Sequence, residues 1–363
     1  MGSKNKKKLR CGLLHLFESA KGKTEKQFYE ENIELIKYAD EIGLQTAWIA
    51  EHHFSEYGVM PSTQVFASYI AGITKRIRIG TGVVVLPFHH PIRVAEEFAF
   101  IDVLSDGRLD FGVGRGYQPH EFEGYGIPIS ESKSRFEESL QIIKMAWSQD
   151  EVNFEGKHFV IKGARPRPRP IQKPHPPLFG ASFNAETIKF QAKKKMNLIF
   201  SPLLATPDKI DEYIKTLQDE GENPENYRIG GLAFVYVADD MKKAFRDFEE
   251  PCMWYFRTFT KLIPAQKYPE GEDFYKNLHF LMMQMIEQYD RGKITFEFMA
   301  TEGLFQHGFL VGTPSYVAEK LKKLIQDYKL TDLLCWTRLG GLEHEKVMKS
   351  MKLFVEKVLP DVM

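Results

Sequence analysis

A (β/α)8 barrel, a TIM barrel, is the fold class this sequence predicts, and three observations carry it. Short apolar runs alternate with amphipathic stretches along nearly the whole chain, the pattern of a parallel sheet covered by helices. Eight strand-like runs are present, nearly all followed by a helix, and eight such units close naturally into a barrel. The length, 363 residues, is large for most single domains but ordinary for this barrel, so residues 1–363 read as one barrel domain. A doubly wound open sheet would want a glycine-rich phosphate turn after the first strand. Residues 18–22 (ESAKG) hold no such fingerprint.

The elements follow in order. Residues 11–17 are a first apolar strand. Thr24 with Gln27 forms a capping box, because their side chains satisfy orphan helix donors reciprocally. Phe28, Leu35, Ile36, Ala39 and Ile42 then recur at helical spacing until Gly43 stops the helix. Strands at 46–50, 77–86 and 108–113 alternate with helices at 61–73 and 91–104, the second opened by Pro91 in its first turn. Ser134 with Glu137 reads as a second capping box, opening a helix to about Trp147. The rhythm pauses at a hairpin (152–154 and 158–161) and at the alternating prolines of 165–170, which forbid helix and favour a stiff extended connector over an anion clamp. It resumes with a strand at 177–181, a helix from Asn184, a strand at 198–200, and a helix opened by Thr206 as cap with Pro207 behind it. A strand at 227–237 and a helix from Asp239 follow. Residues 261–310 break the pattern and read as an insertion. Thr313 and Pro314 open another helix, 332–336 is the eighth strand, and 343–358 closes the chain.

Composition narrows the function classes. Hydrophobic residues make up 43% and charged residues 27%, which excludes disordered, collagen-like and coiled-coil chains. Lys and Arg total 49, as do Asp and Glu, so no global field exists to hold a nucleic acid. Cys11, Cys252 and Cys335 are too few and scattered for a disulfide frame and fit a reducing compartment, the cytoplasm. No signal-peptide core is seen, and no apolar run approaches the ~20 residues that span a bilayer. Lys4, Lys6, Lys7, Lys8 and Arg10 read as a solvated tail rather than a membrane contact.

Chemistry in a barrel sits at the carboxyl ends of the strands. There this chain carries Glu51, His52 and His53, then Thr81, Gly82 and Val83, then His89 and His90, then Gly114, Arg115 and Gly116, then Ser182 and Asn184. Tandem histidines point to opposite sides of an extended chain, and no inward Asp or Cys follows at a ligand spacing, so no metal site is assigned. Arg115 between two glycines offers its guanidinium fork to an anion such as phosphate; the alternative is a salt bridge to Glu137 or Glu138. Ser182 and Asn184 precede a helix and either cap it or help hold phosphate. Gly82 inside a β-branched strand marks a bulge, a close approach of backbone to a flat ligand, or a packing glycine. The run 112–116 (GVGRG) lacks the last glycine in register for a dinucleotide motif.

The runs at 46–54 (TAWIAEHHF), 79–91 (IGTGVVVLPFHHP) and 105–116 (SDGRLDFGVGRG) resemble the bacterial luciferase-like flavin monooxygenase family. So do 311–314 (VGTP) and 351–354 (MKLF), and only 261–310 resembles it weakly. The resemblance implies a barrel that binds reduced FMN (FMNH2), supplied by a separate NAD(P)H:flavin reductase. The flavin reacts with O2 to a flavin hydroperoxide that oxygenates a small or medium apolar organic substrate. It assigns His52 to the peroxide chemistry, Arg115 to the FMN phosphate and Ser182 to the adjoining loop. Thr81 and the Gly82–Val83 pair go to the flavin site, the pair as a non-prolyl cis peptide behind the isoalloxazine, and His90 to the rim near the ring. It also implies a homodimer.

Two departures point away from light emission: Gly114 stands where luminous members carry cysteine, and Ala181 where they carry glutamate. The 261–310 segment, with Phe274, Tyr275, Phe280, Met282, Met283 and Met285, reads as a lid or a subunit contact. Trp254, Tyr255 and Phe256 read as substrate pocket or core. The rival readings are a deazaflavin-dependent oxidoreductase on the same scaffold, a flavin-binding protein without catalysis and a metal hydrolase.

Overall fold

Strands covered by helices on their outer face, and packed against one another within, need apolar residues along their whole length. In the computed structural model, which describes residues 7–19 and 22–363, the barrel strands have that character. They are β1 (Arg10–His15), β2 (Thr46–Ile49), β5 (Arg78–Thr81), β7 (Leu109–Gly114), β10 (Leu178–Ser182), β11 (Asn197–Phe200), β12 (Ile229–Val237) and β14 (Asp332–Trp336). All pair in parallel, in the order β1-β2-β5-β7-β10-β11-β12-β14, and the β14–β1 pairing closes the cylinder. The fold class is therefore the (β/α)8 barrel. Lys4 and Lys6 of the basic tail, and Ala20 and Lys21, lie outside the described residues.

The outer ring includes α1 (Glu25–Glu41), α2 (Thr63–Ile73), α3 (Pro91–Leu104), α5 (Ser132–Ser148), α6 (Ala185–Lys193), α7 (Pro207–Asp219), α8 (Met241–Leu262), α11 (Pro314–Tyr328) and α12 (His344–Leu353). Short α4 (Pro119–Gly124) follows β7, while α9 (Asp273–Asp290) and α10 (Phe296–Thr301) fill the segment after α8. The Thr24 capping box forms as the sequence predicts. The second box does not. Helix α5 begins at Ser132, so Ser134 is already helical, and its hydroxyl donates to the Glu131 carbonyl. Thr206 occupies its cap position, but its hydroxyl turns to the Asp208 carboxylate instead of the backbone.

Three strand features escaped the sequence, and one that it predicted is present. The run at 77–86 is broken: β5 ends at Thr81, the Gly82–Val83 peptide is cis, and β6 (Val84–Val85) pairs with the end of β7. A small hairpin, β3 (His52–Ser55) with β4 (Gly58–Met60), follows β2 and is too short to show a period. The predicted second hairpin is present as β8 (Val152–Glu155) with β9 (Val160–Ala164). Lastly, β13 (Phe309–Gly312) pairs with the outer half of β12, overlapping the stretch read as insertion. The proline-rich connector uses its arginines locally, Arg165 on Glu151 and Arg169 on Asp150.

The two ends of the barrel differ in kind. At the amino ends, buried Asp110 and Asp332 are held by arginines: Arg10 reaches both, at 3.0 and 2.6 Å, Arg78 reaches Asp110 at 2.8 Å, and Arg228 reaches Asp332 at 2.6 Å. Each carboxylate is paired from two sides, so that end is closed by charge. The carboxyl ends open into a cavity.

Candidate functional site

The cavity walls come from strand ends. β1 is followed by Leu16, β2 by Glu51 and His52, and β5 by Gly82 and Val83. β7 is followed by Arg115, Gly116 and Tyr117, β10 contributes Ala181 and Ser182, and β14 ends in Trp336. Tyr275, Leu278 and Met282 of α9 also face it, with Tyr255, Phe256 and Phe259 of α8. Tyr255 and Phe256 are thus both pocket wall and core, whereas Trp254 is not in the wall.

His52 is buried, and its Nδ1 lies 3.0 Å from Glu121 Oε1 on α4. The same carboxylate oxygen accepts the His53 backbone N–H at 2.9 Å, so Glu121 is fixed from two directions. A carboxylate on one imidazole nitrogen selects the tautomer protonated there and leaves Nε2 as the nitrogen for proton transfer. Gln118 Nε2 lies 3.5 Å from Nδ1, and the ring packs edge-on against Tyr57.

The neighbouring histidine goes elsewhere. His53 Nε2 lies 3.0 Å from Glu51 Oε1, and His89 Nε2 lies 2.7 Å from the same atom. The other Glu51 oxygen accepts the Val85 N–H at 2.9 Å. Burial alone would raise the Glu51 carboxyl, but the hydrogen bonds from His53, His89 and Val85 outweigh it and hold it below its ordinary value. Burial opposes the charge on His89, and Glu51 raises its pKa nonetheless. Glu51 therefore ties β2 to the 85–89 loop.

Arg115 follows β7 with a glycine on each side. A Cβ on Gly114 would sit 2.5 Å from Val83 Cγ2, and one on Gly116, whose φ is +78°, 2.7 Å from Val85 Cγ1. The guanidinium is paired in parallel with Glu272, Nη1 to Oε1 at 2.7 Å and Nη2 to Oε2 at 3.0 Å. It is in a salt bridge, as the sequence alternative had it, but with Glu272 rather than Glu137 or Glu138. Buried Ser182 accepts Gln191 Nε2 at 3.2 Å, and Gln191 Oε1 is buried without a hydrogen-bond partner. Asn184 caps α6, its Oδ1 accepting the Thr187 N–H at 2.9 Å.

The structure brings His52, Gly82, Val83, Arg115 and Ser182 to one cavity. Thr81 and His90 are not among the residues that line it. Thr81 Oγ1 donates to the Gly112 carbonyl at 2.7 Å and accepts its N–H at 2.8 Å, a tie between β5 and β7. His90 is exposed at the start of α3, with its ring edge-on to Phe159. Glu121, Tyr57 and Glu272 had no sequence signal, since none shares a local spacing with the residue it meets.

The rest of the wall is aromatic. Tyr57 and Tyr117 share a hydrogen bond at 3.1 Å, and burial pushes both phenols up, so they stay neutral. The Trp336 indole N–H is buried and has no partner. Among the described residues no group of three or more His, Cys, Asp or Glu is placed to hold a metal ion. No described helix is long and apolar enough to cross a membrane.

The family model for luciferase-like monooxygenases matches residues 9–329. A flavin-dependent trigonelline monooxygenase, oxygenase component, from Acinetobacter baylyi is 30% identical over 64% of this chain and 65% of its own length. An alkanal monooxygenase alpha chain from Photorhabdus luminescens is 25% identical over 90% of both chains. Among solved structures, the monooxygenase RslO1 from Streptomyces bottropensis superposes with a TM-score of 0.82 at 24% identity, covering 98% of this chain and all of its own. The oxygenating constituent of 3,6-diketocamphane monooxygenase from Pseudomonas putida, in complex with FMN, gives 0.79 at 21%, covering 98% and 99%. A coenzyme F420-dependent tetrahydromethanopterin reductase from Methanopyrus kandleri gives 0.72 at 18%, covering 98% and 100%. At these identities the structural likenesses are of fold.

Proposed function

This chain belongs to the luciferase-like monooxygenase family, and from that premise we propose that it is the oxygenase of a two-component system. It takes FMNH2 from a separate NAD(P)H:flavin reductase and uses O2 to oxygenate a small or medium apolar organic molecule. The observation that carries this reading is the gathering of His52 and Arg115 on one cavity, with the cis Gly82–Val83 peptide and an aromatic wall beside them.

The residues present fit a phosphorylated flavin. The Arg115 fork, Ser182 and the amino end of α6 supply donors for a phosphate. Gln191 Nε2 steadies the Ser182 hydroxyl at 3.2 Å. Gly82, Gly114 and Gly116 keep backbone close to the cavity, and Val83 and Val85 give an apolar face for a planar ring. Bound reduced flavin would supply the electrons that activate O2. His52, held by Glu121, moves a proton at Nε2. Tyr57, Tyr117, Tyr255 and Phe259 line an apolar space that excludes water from the reaction.

Gly114 and Ala181 support a non-luminous role. The cysteines are free and buried, which suits the cytoplasm. The relative described as an oxygenase component supports the reductase partner. The F420-dependent neighbour favours one second reading, deazaflavin-dependent hydride transfer on the same scaffold.

Anaerobic titration of the apoprotein with FMNH2 and with reduced deazaflavin, followed by O2 and a spectrum of the product, separates the two. Arg115→Ala should weaken FMNH2 binding by ~1.5–3 kcal/mol, the worth of a charge-assisted contact. Unchanged affinity would remove Arg115 from the phosphate site.

A further inference from the structure

Glu272 is the residue just before α9, in the segment that reads from the sequence as a lid or a subunit contact. Its two carboxylate oxygens take two parallel N–H positions on the Arg115 fork, at 2.7 and 3.0 Å. A phosphate offers a guanidinium the same two-oxygen face. The pair lies where the strand-end cavity meets the cleft between α5, α6 and the start of α9, with Arg115 lining both spaces. Both side chains are mostly buried, at 21% and 26% exposure, so neither is a freely solvated surface ion.

The surroundings make Glu272 movable. Tyr275 stacks on Tyr117, and Tyr268 stacks on Tyr275. Tyr268 also donates to the Tyr117 carbonyl at 2.7 Å, and Lys267 pairs with Glu123. These contacts hold the segment to the loop after β7 without Glu272. The Glu272 side chain makes no capping bond to α9, so leaving Arg115 takes no backbone bond with it. A carboxylate and a phosphate cannot share those guanidinium N–H groups, because their oxygens would crowd at like charge in a partly buried place.

We propose that Glu272 is an exchangeable stand-in for the flavin phosphate on Arg115. A phosphorylated flavin then enters by anion exchange and leaves when the carboxylate returns. This rests on the assignment of Arg115 to the phosphate. Glu272 weakens the hold on FMNH2 but not on the same ring system without phosphate, and so makes the flavin a passing substrate rather than a resident group.

The test measures anaerobic binding and release of FMNH2 and of reduced riboflavin to the full chain, by flavin fluorescence, for wild type, Glu272→Gln, Glu272→Ala and Arg115→Ala. Both Glu272 variants should bind FMNH2 about fivefold tighter or more and release it more slowly, while riboflavin affinity stays within about twofold. Agreement of the two variants separates lost charge from lost bulk. If FMNH2 affinity is unchanged or weaker in both variants while Arg115→Ala still weakens it, the exchange is wrong and the phosphate site stands. If Arg115→Ala leaves FMNH2 affinity untouched, both fall together.

Discussion

His52 and His53 are adjacent, yet one faces the cavity with Glu121 and the other faces Glu51 and Tyr125. Alternation along an extended chain makes that split legible in the sequence. The identity of the partners is not, because Glu121 lies 69 residues from His52 and on a helix of one turn and a half. His52→Ala should leave flavin affinity near wild type, lower the product formed per reduced flavin and raise the H2O2 released. Unaltered coupling in a peroxide assay would take His52 out of the mechanism. Glu18 is another buried carboxyl, accepting the Gly340 N–H at 2.8 Å, and burial pushes it up to about 8 from an ordinary 4.5. Between those two pH values the folded chain binds more protons than the unfolded one, so this group's contribution to stability falls as pH rises through that window. Urea midpoints of wild type should therefore fall relative to Glu18→Gln from pH 5 to pH 8, and parallel curves would show that Glu18 does not titrate there.

At the scale of the element, the barrel wall is a matter of glycines where strands approach. A Cβ on Gly112 of β7 would sit 1.9 Å from the Thr81 carbonyl oxygen, which is backbone and cannot step aside. Gly112→Ala should cost about 1–3 kcal/mol, read as a lower denaturant midpoint at unchanged slope. An unchanged midpoint would mean that β5 and β7 slide apart freely. Sequence periodicity located these strands, but it ran β5 into β6 because Ile79 to Leu86 is apolar or small almost throughout. Pairing with β7 on both sides of Gly82 divides them. The hidden strand β13 shows the same limit: four residues flanked by loop carry no period, and it is a strand because β12 extends beyond β14 to meet it.

At the scale of the molecule, function and stability occupy opposite ends of one cylinder. The arginine–aspartate network closes the amino end, while the carboxyl end holds His52, Arg115 and the aromatic wall. On the outside, neighbouring helices α2 and α3 leave Val65, Tyr69, Phe100 and Leu104 exposed. An exposed apolar face of this kind is where the homodimer that the family resemblance implies would form. If the chain pairs through that face, Tyr69→Glu with Phe100→Glu should halve the sedimenting mass and leave FMNH2 affinity unchanged; an unaltered mass would place the interface elsewhere or nowhere.

By itself the sequence determined the eightfold alternation, the face of each helix that is buried, and the residue types at the strand ends. Those are written in local periods of two and 3.6 residues. Tertiary structure decided which of those groups meet. Arg115 and Glu272 are 157 residues apart, and Thr81 ties β5 to β7 while the His90 ring meets Phe159. Closing a barrel joins side chains by position around a ring, and distance along the chain leaves no periodic trace of such a meeting.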